Sequence, residues 1–262
     1  MTDLVLVETA HRVRTVTLNR PEARNALDSA LQRASAQALV AADEDDEVDV
    51  VILTGTDPAF CAGLDLRELG STGANLQGSA DSRATSPFGA LWTMRKPVIG
   101  AINGAAVTGG FEVALTCDFL VASERARFAD THARVGVSPG GGMSVNLPMA
   151  VGLRKAKELS LTGNYLDAHE ALALGLVNHV VPHTELLPVA RRLARDIADN
   201  DQRAVRHLKR LYDRGAKLTV GDAIELEQDE FRKWKVDFAE VERRRAAVVA
   251  RGQAQQQAQQ QQ

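Results

Sequence analysis

Apolar and polar residues alternate through VLVETAHRVRTVTLNR, from Val5 to Arg20, which predicts a β-hairpin turning near His11. Pro21 and Asn25 break the pattern. ALDSALQRASAQALVAADED then returns Leu27, Leu31, Ala34, Ala38 and Leu39 at helical spacing. VDVVILTG reads as a buried strand. LWTMRKPVIGAINGAAVTGG predicts a helix end, a strand after Pro97 and a glycine-rich bend. FEVALTCD and FLVAS follow as a short helix and another strand. Strands alternating with helices predict an α/β core. From Tyr165 onward the pattern reads as helical, ending in the low-complexity RGQAQQQAQQQQ. Between Gly70 and Pro87 the chain is rich in Gly, Ser and Ala and shows no apolar period, which predicts a loop covering a pocket.

Composition narrows the classes. Of 262 residues, 45% are hydrophobic and 25% charged, with a formal net charge of −3, so no nucleic-acid partner is expected. The apolar runs are too short for a membrane span, and no membrane partner is expected. Cys61 and Cys117 lie far apart without metal or disulfide spacing. With no secretory signal read at the start, a cytoplasmic protein is expected. The histidines at 11, 169, 179, 183 and 207 are scattered, with no metal-ligand spacing, so no metal is expected.

Two stretches carry the candidate chemistry, PAFCAGLDLREL (58–69) and INGAAVTGGFEVALTCDFLVAS (102–123). Each places small residues where a strand ends and a helix begins. Small residues let a ligand approach the main chain, and helix N-terminal N–H groups point outward. Two such groups aimed at one point would bind an oxyanion. The alternative is that these glycines only shape tight turns.

Taken together, NRPEARNAL (19–27), FCAGLDL (60–66), KPVIGAINGAAVTGGFEVALTCDFLVAS (96–123), FADTHARVGVSPGGG (128–142) and EALALGLVNHVVP (170–182) resemble the crotonase superfamily, the enoyl-CoA hydratase/isomerase enzymes, in order and spacing. The resemblance spans roughly residues 4 to 200. It implies a crotonase-like ββα spiral core over 1–200, a C-terminal helical trimerisation region over 201–250 and a Gln-rich tail over 251–262. It implies an acyl-CoA thioester substrate, CoA entering with the substrate and no separate cofactor, a role in fatty acid metabolism, and a homotrimer or hexamer.

Carried over residue by residue, the resemblance puts the oxyanion N–H donors at Ala62 and Gly109 and a catalytic carboxylate at Glu112. It puts a substrate-binding wall at Arg24, Ala26, Ala62, Gly63, Leu64, Asp65, Leu66 and Gly109. The second hydratase glutamate aligns with His132. An imidazole is a competent base, with an ordinary pKa of about 6.5 against about 4.3 for Glu. His132 therefore replaces the second acid/base group, serves another reaction of the superfamily, or is structural. Asp130 either orients the imidazole or caps the local turn. The expected activity is hydration of a 2-enoyl-CoA. The alternatives are Δ3-Δ2 enoyl-CoA isomerisation, another reaction of the superfamily, and an inactive acyl-CoA-binding protein. The C-terminal sequence DFAEVERRRAAVV departs from the family ending, and Arg243, Arg244 and Arg245 read as phosphate contacts or a solvated charge run.

Overall fold

The computed structural model describes residues 3–77 and 82–259. The hairpin forms as β1 (Val5–Ala10) and β2 (Val13–Leu18), antiparallel, with His11 and Arg12 both at positive φ in the two-residue turn. The apolar runs become β3 (Val50–Gly55), β5 (Val98–Ile102) and β7 (Phe119–Ser123). All of β3 and β5 is buried, which matches strands packed on both faces of a parallel sheet. Each run is followed after two or three residues by a short strand: β4 (Ala59–Cys61), β6 (Ala105–Val107) and β8 (Arg127–Ala129). With β9 (Leu166–Asp167) and β10 (His179–Val181), the strands form two sheets. One is β1-β2-β3-β5-β7-β10, parallel from β2 onward, and the other is β4-β6-β8-β9.

This pairing produces the ββα spiral. Each turn lays one strand into the large sheet, bends, lays a short strand into the small sheet, and leaves through a helix. The three exits are the helices Leu66–Ser71, Gly109–Thr116 and His132–Val135. All three candidate segments therefore leave the same small sheet side by side.

The outer face of the large sheet is covered by the helix Leu186–Ala198, whose Leu186, Ala190 and Ala194 pack on Val50, Ile52, Ile99 and Ala101. Burying each Val or Ile there contributes about 1.5–3 kcal/mol. The chain divides into two compact units, Met1–Lys209 and Arg210–Gln262, and the helix Gln202–Gly215 crosses that division. In the second unit Glu230 pairs with Arg210, Arg214 and Lys233.

The structure differs from the sequence pattern in several places. Leu27 lies before the helix Ser29–Glu44, in an isolated bridge to Leu64. His179–Val181 is a strand parallel to β7 rather than helix, because pairing with a preformed edge decides the state of a three-residue segment. The expected cover over 70–87 is partly helical and anchored. Ala74–Gln77 forms a turn of helix, and buried Asn75 donates to the carbonyls of Asp65 (3.0 Å) and Leu27 (3.3 Å). Arg83 is paired with Asp43 at 2.9 Å, and residues 78–81 of that expectation lie outside the described residues. The tail continues the helix Phe238–Gln259, with 260–262 outside the described residues. Arg243 and Arg244 pair with Glu240, and Arg245 with Glu242, one helical turn away.

Candidate active site

The bend after β4 is built around Gly63, whose φ of +94 favours glycine and whose Cβ would meet the Val107 carbonyl oxygen at 2.8 Å. Leu27 donates to the Gly63 carbonyl (2.7 Å), and Asp65 donates to the Leu27 carbonyl (3.0 Å). That is a parallel bridge centred on Leu64, so the N–H of Leu64 faces the opposite way, and no acceptor for it occurs among the described residues.

The expectation for Ala62 is corrected here. Its N–H donates to the Arg24 carbonyl at 3.0 Å and is committed to holding the 19–27 segment against the bend. The free donor is Leu64, two residues on.

The second bend ends at Thr108, at φ 51 and ψ −113, and the helix Gly109–Thr116 starts there. As the first helical residue, Gly109 has an N–H with no intrahelical acceptor, and none occurs among the described residues. The two bends are in contact. A Cβ on Gly109 would lie 3.7 Å from the Leu64 nitrogen, and one on Gly63 would lie 3.5 Å from the Gly109 nitrogen. A Cβ on Gly110 would come within 2.1 Å of the Cys61 carbonyl oxygen, so only glycine lets the helix approach β4 this closely. Two free N–H groups from separate segments thus flank one small space, the geometry of an oxyanion hole.

Glu112 sits one turn into that helix and is 3% exposed. Its Oε1 accepts from the N–H groups of Gly141 (2.7 Å), in the SPGGG turn, and Met143 (3.2 Å), the first residue of the helix Met143–Val151. Burial pushes its carboxyl above the ordinary range. The adjacent imidazole and the two amides oppose this without cancelling it.

His132 is 7% exposed, and its Nε2 lies 3.6 Å from Glu112 Oε2. That is too long for a hydrogen bond but close enough for both groups to face one reacting atom. His132 Nδ1 lies 2.6 Å from Asp130 Oδ1. Asp130 is buried and also accepts from the His132 N–H (3.2 Å) and the Ser160 hydroxyl. Burial works to raise its pKa, but these hydrogen bonds outweigh it and hold the carboxyl below the ordinary range. Asp130 therefore both contacts the imidazole and caps the turn. Beside it, the Thr108 and Thr131 hydroxyls meet at 2.5 Å, tying the His132 segment to the second bend.

The remaining expected wall residues have other partners or lie outside the hole. Ala26 is buried, and its carbonyl accepts from Arg20 Nη1 at 3.0 Å. Asp65 is held by Arg20 Nη1 (2.6 Å) and caps the helix Leu66–Ser71. Leu66 is exposed, as is Arg24, whose guanidinium has no ion pair among the described residues. Sequence reasoning missed a cleft of about 440 Å³ beside this segment, lined by Arg20, Arg33 and Arg67 with Asp28, Asp65 and Glu68. The REL step at 67–69, following the LD turn, was the available signal. Cys61 is fully buried, and its thiol is pushed up to about 12. No cluster of metal-ligating side chains occurs among the described residues.

Comparison with known proteins identifies the family. A family model described as enoyl-CoA hydratase/isomerase matches residues 8–252. A probable peroxisomal enoyl-CoA hydratase 1 of Arabidopsis thaliana is 44% identical over 214 residues, covering 82% of this chain and 80% of that protein. The crystal structure of an enoyl-CoA hydratase from Mycobacterium tuberculosis H37Rv is 52% identical. It covers 88% of this chain and 100% of its own, with a TM-score of 0.74. A structure from Geobacillus kaustophilus, titled as an enoyl-CoA hydratase subunit, superposes with a TM-score of 0.82 at 30% identity, covering 95% of each chain.

Proposed function

Because the chain belongs to the enoyl-CoA hydratase/isomerase family, we propose that it is an enoyl-CoA hydratase, adding water across the double bond of a 2-enoyl-CoA thioester. The observation that carries this reading is the meeting of two free N–H groups, Leu64 and Gly109, the second opening a helix whose buried Glu112 carboxyl faces a buried imidazole.

The thioester carbonyl oxygen accepts from Leu64 and Gly109, so negative charge can move onto it as water attacks the β-carbon. Donors of this kind are worth about 2.7–4 kcal/mol each. The oxygen–carbon bond forms as a water proton passes to the Glu112/His132 pair, and the alkene electrons move into an enolate. The pair then delivers one proton to the α-carbon. It ends with the proton count it began with, which is the requirement for a hydration catalyst. Glu112, with Oε1 fixed by two amides, presents Oε2 to the water, and His132 Nε2 is the second acid/base atom. Addition of water is redox-neutral and asks for no separate cofactor, with CoA entering as part of the substrate.

Arg33 and Arg67, exposed in the 440 Å³ cleft, and the exposed Arg24 offer positive charge for the CoA phosphates. Exposed Leu153, Leu161 and Tyr165 in the first unit, and Phe231 and Phe238 in the second, support a homotrimer or hexamer, which sedimentation would check. No helix among the described residues is long and apolar enough to cross a membrane, and the two buried free thiols fit a cytoplasmic setting.

The test is a panel of 2-enoyl-CoA and 3-enoyl-CoA esters in ¹⁸O-water. Label at the β-carbon from the 2-enoyl esters supports hydration. Conversion of 3-enoyl to 2-enoyl ester without label assigns isomerisation instead, and binding without product assigns an inactive acyl-CoA-binding protein.

A further inference from the structure

His132 is fixed from behind. Its Nδ1 lies 2.6 Å from Asp130 Oδ1, with both residues buried. The Asp130 carboxylate gathers the His132 N–H and the Ser160 hydroxyl besides the ring, so it sits among donors. A carboxylate in that setting only accepts, so the ring nitrogen facing it carries hydrogen. A neutral imidazole holding its hydrogen at Nδ1 has its lone pair at Nε2. Nε2 is the atom that faces Glu112 Oε2 at 3.6 Å.

We propose that Asp130 is a positioning residue that locks His132 as the Nδ1–H tautomer and turns Nε2 toward the reacting water. The proposal rests on the hydratase reading of the site and deepens it. A bare imidazole could bond through either nitrogen and rotate, whereas a glutamate in its place would need no second group. Asp130 thus supplies what the exchange of carboxylate for imidazole removes. The charged groups facing the ring are Glu112, from the helix Gly109–Thr116, and Asp130, from its own segment. The helix Leu153–Thr162 contributes the neutral Ser160 hydroxyl to Asp130. Asp130 acts only through His132, since its carboxylate is spent on the ring, the turn and Ser160.

The experiment has two arms. In ¹⁵N-histidine-labelled parent protein, the His132 ring is expected as the Nδ1–H tautomer when neutral. An Nε2–H tautomer overturns the proposal, and this arm needs neither a variant nor turnover. Kinetically, Asp130→Asn should lower kcat for a 2-enoyl-CoA by about 10²-fold or more while leaving KM within a few-fold. In a His132→Glu background the same change should cost nothing further or restore activity, since Asp130 then faces another carboxylate. Equal losses in both backgrounds would mark a merely structural role and overturn the proposal. If the parent hydrates none of the esters, the hydratase reading fails, and the tautomer arm still decides the role of Asp130.

Discussion

Glu112 and His132 face each other from neighbouring turns of the spiral, yet different kinds of group hold them. Glu112 is anchored by main-chain N–H groups of Gly141, in the SPGGG turn, and Met143, at the start of the helix that follows it. His132 is anchored by a side chain, Asp130, two residues before it. Main-chain N–H groups suit a carboxylate, which only accepts, whereas a carboxylate suits a ring N–H and would repel a second glutamate. An acid/base pair of mixed chemistry therefore needs two different supports, donors for the carboxylate and an acceptor for the ring N–H.

Filling the hole that both groups serve should have the largest effect. Gly109→Ala places a methyl 3.7 Å from the Leu64 nitrogen, where the thioester oxygen must sit, without a steric clash. It should lower kcat by about 10²- to 10³-fold. The melting temperature should not fall, because the added methyl meets no atom closer than 3.7 Å. Full activity with the methyl present would detach Glu112 and His132 from the proposed hole.

Breaking one support leaves the other testable. A Cβ on Gly141 would lie 2.7 Å from the Phe88 ring and 2.9 Å from Glu112 Cβ. Gly141→Ala should cost about 1–3 kcal/mol in denaturant unfolding, as overpacking does, with a parallel fall in kcat. The His132 Nδ1 should keep its ¹⁵N shift, because its anchor, Asp130, lies elsewhere.

The Glu112 side of the comparison also carries a pH signature. Its carboxyl is raised above the ordinary range by burial, so the folded state binds its proton more tightly than the unfolded chain does. The stability this contributes is present below about pH 4.3 and is lost as pH rises through the folded-state pKa. Glu112→Gln keeps an acceptor for Gly141 and Met143 and removes the buried charge. Its melting temperature should exceed the parent's near neutral pH, and the gap should close in acid. A gap independent of pH would contradict the desolvation argument.

The smallest effect is expected at Cys61, which lies in the same bend but contributes no acid/base chemistry. With its thiol pushed up to about 12, Cys61→Ala should leave kcat within about twofold and cost about 1 kcal/mol of stability. Loss of activity there would add a third group to the pair.

Much of the fold was legible because β3, β5 and β7 are continuous apolar runs that no amphipathic helix would show. His179–Val181 was not, since three residues carry no period and the edge of β7 decides their state. Glu112, His132 and Gly109 were singled out from motif order, and the structure sets Glu112 beside His132. The N–H expected to be free at Ala62 is taken by the Arg24 carbonyl, because small residues mark a bend without saying which N–H turns outward. The Leu27–Leu64 bridge, a contact between distant segments, settles that orientation. The grip of Asp130 on His132 was one of two readings in sequence, and both hold in the structure.

The most direct measurement is hydration of a saturating 2-enoyl-CoA by Glu112→Gln beside the parent, with thioester binding followed by calorimetry in both. The account predicts that the parent turns over and that the variant binds with similar affinity but hydrates at least about 10²-fold more slowly. Equal hydration rates in the two proteins would contradict it.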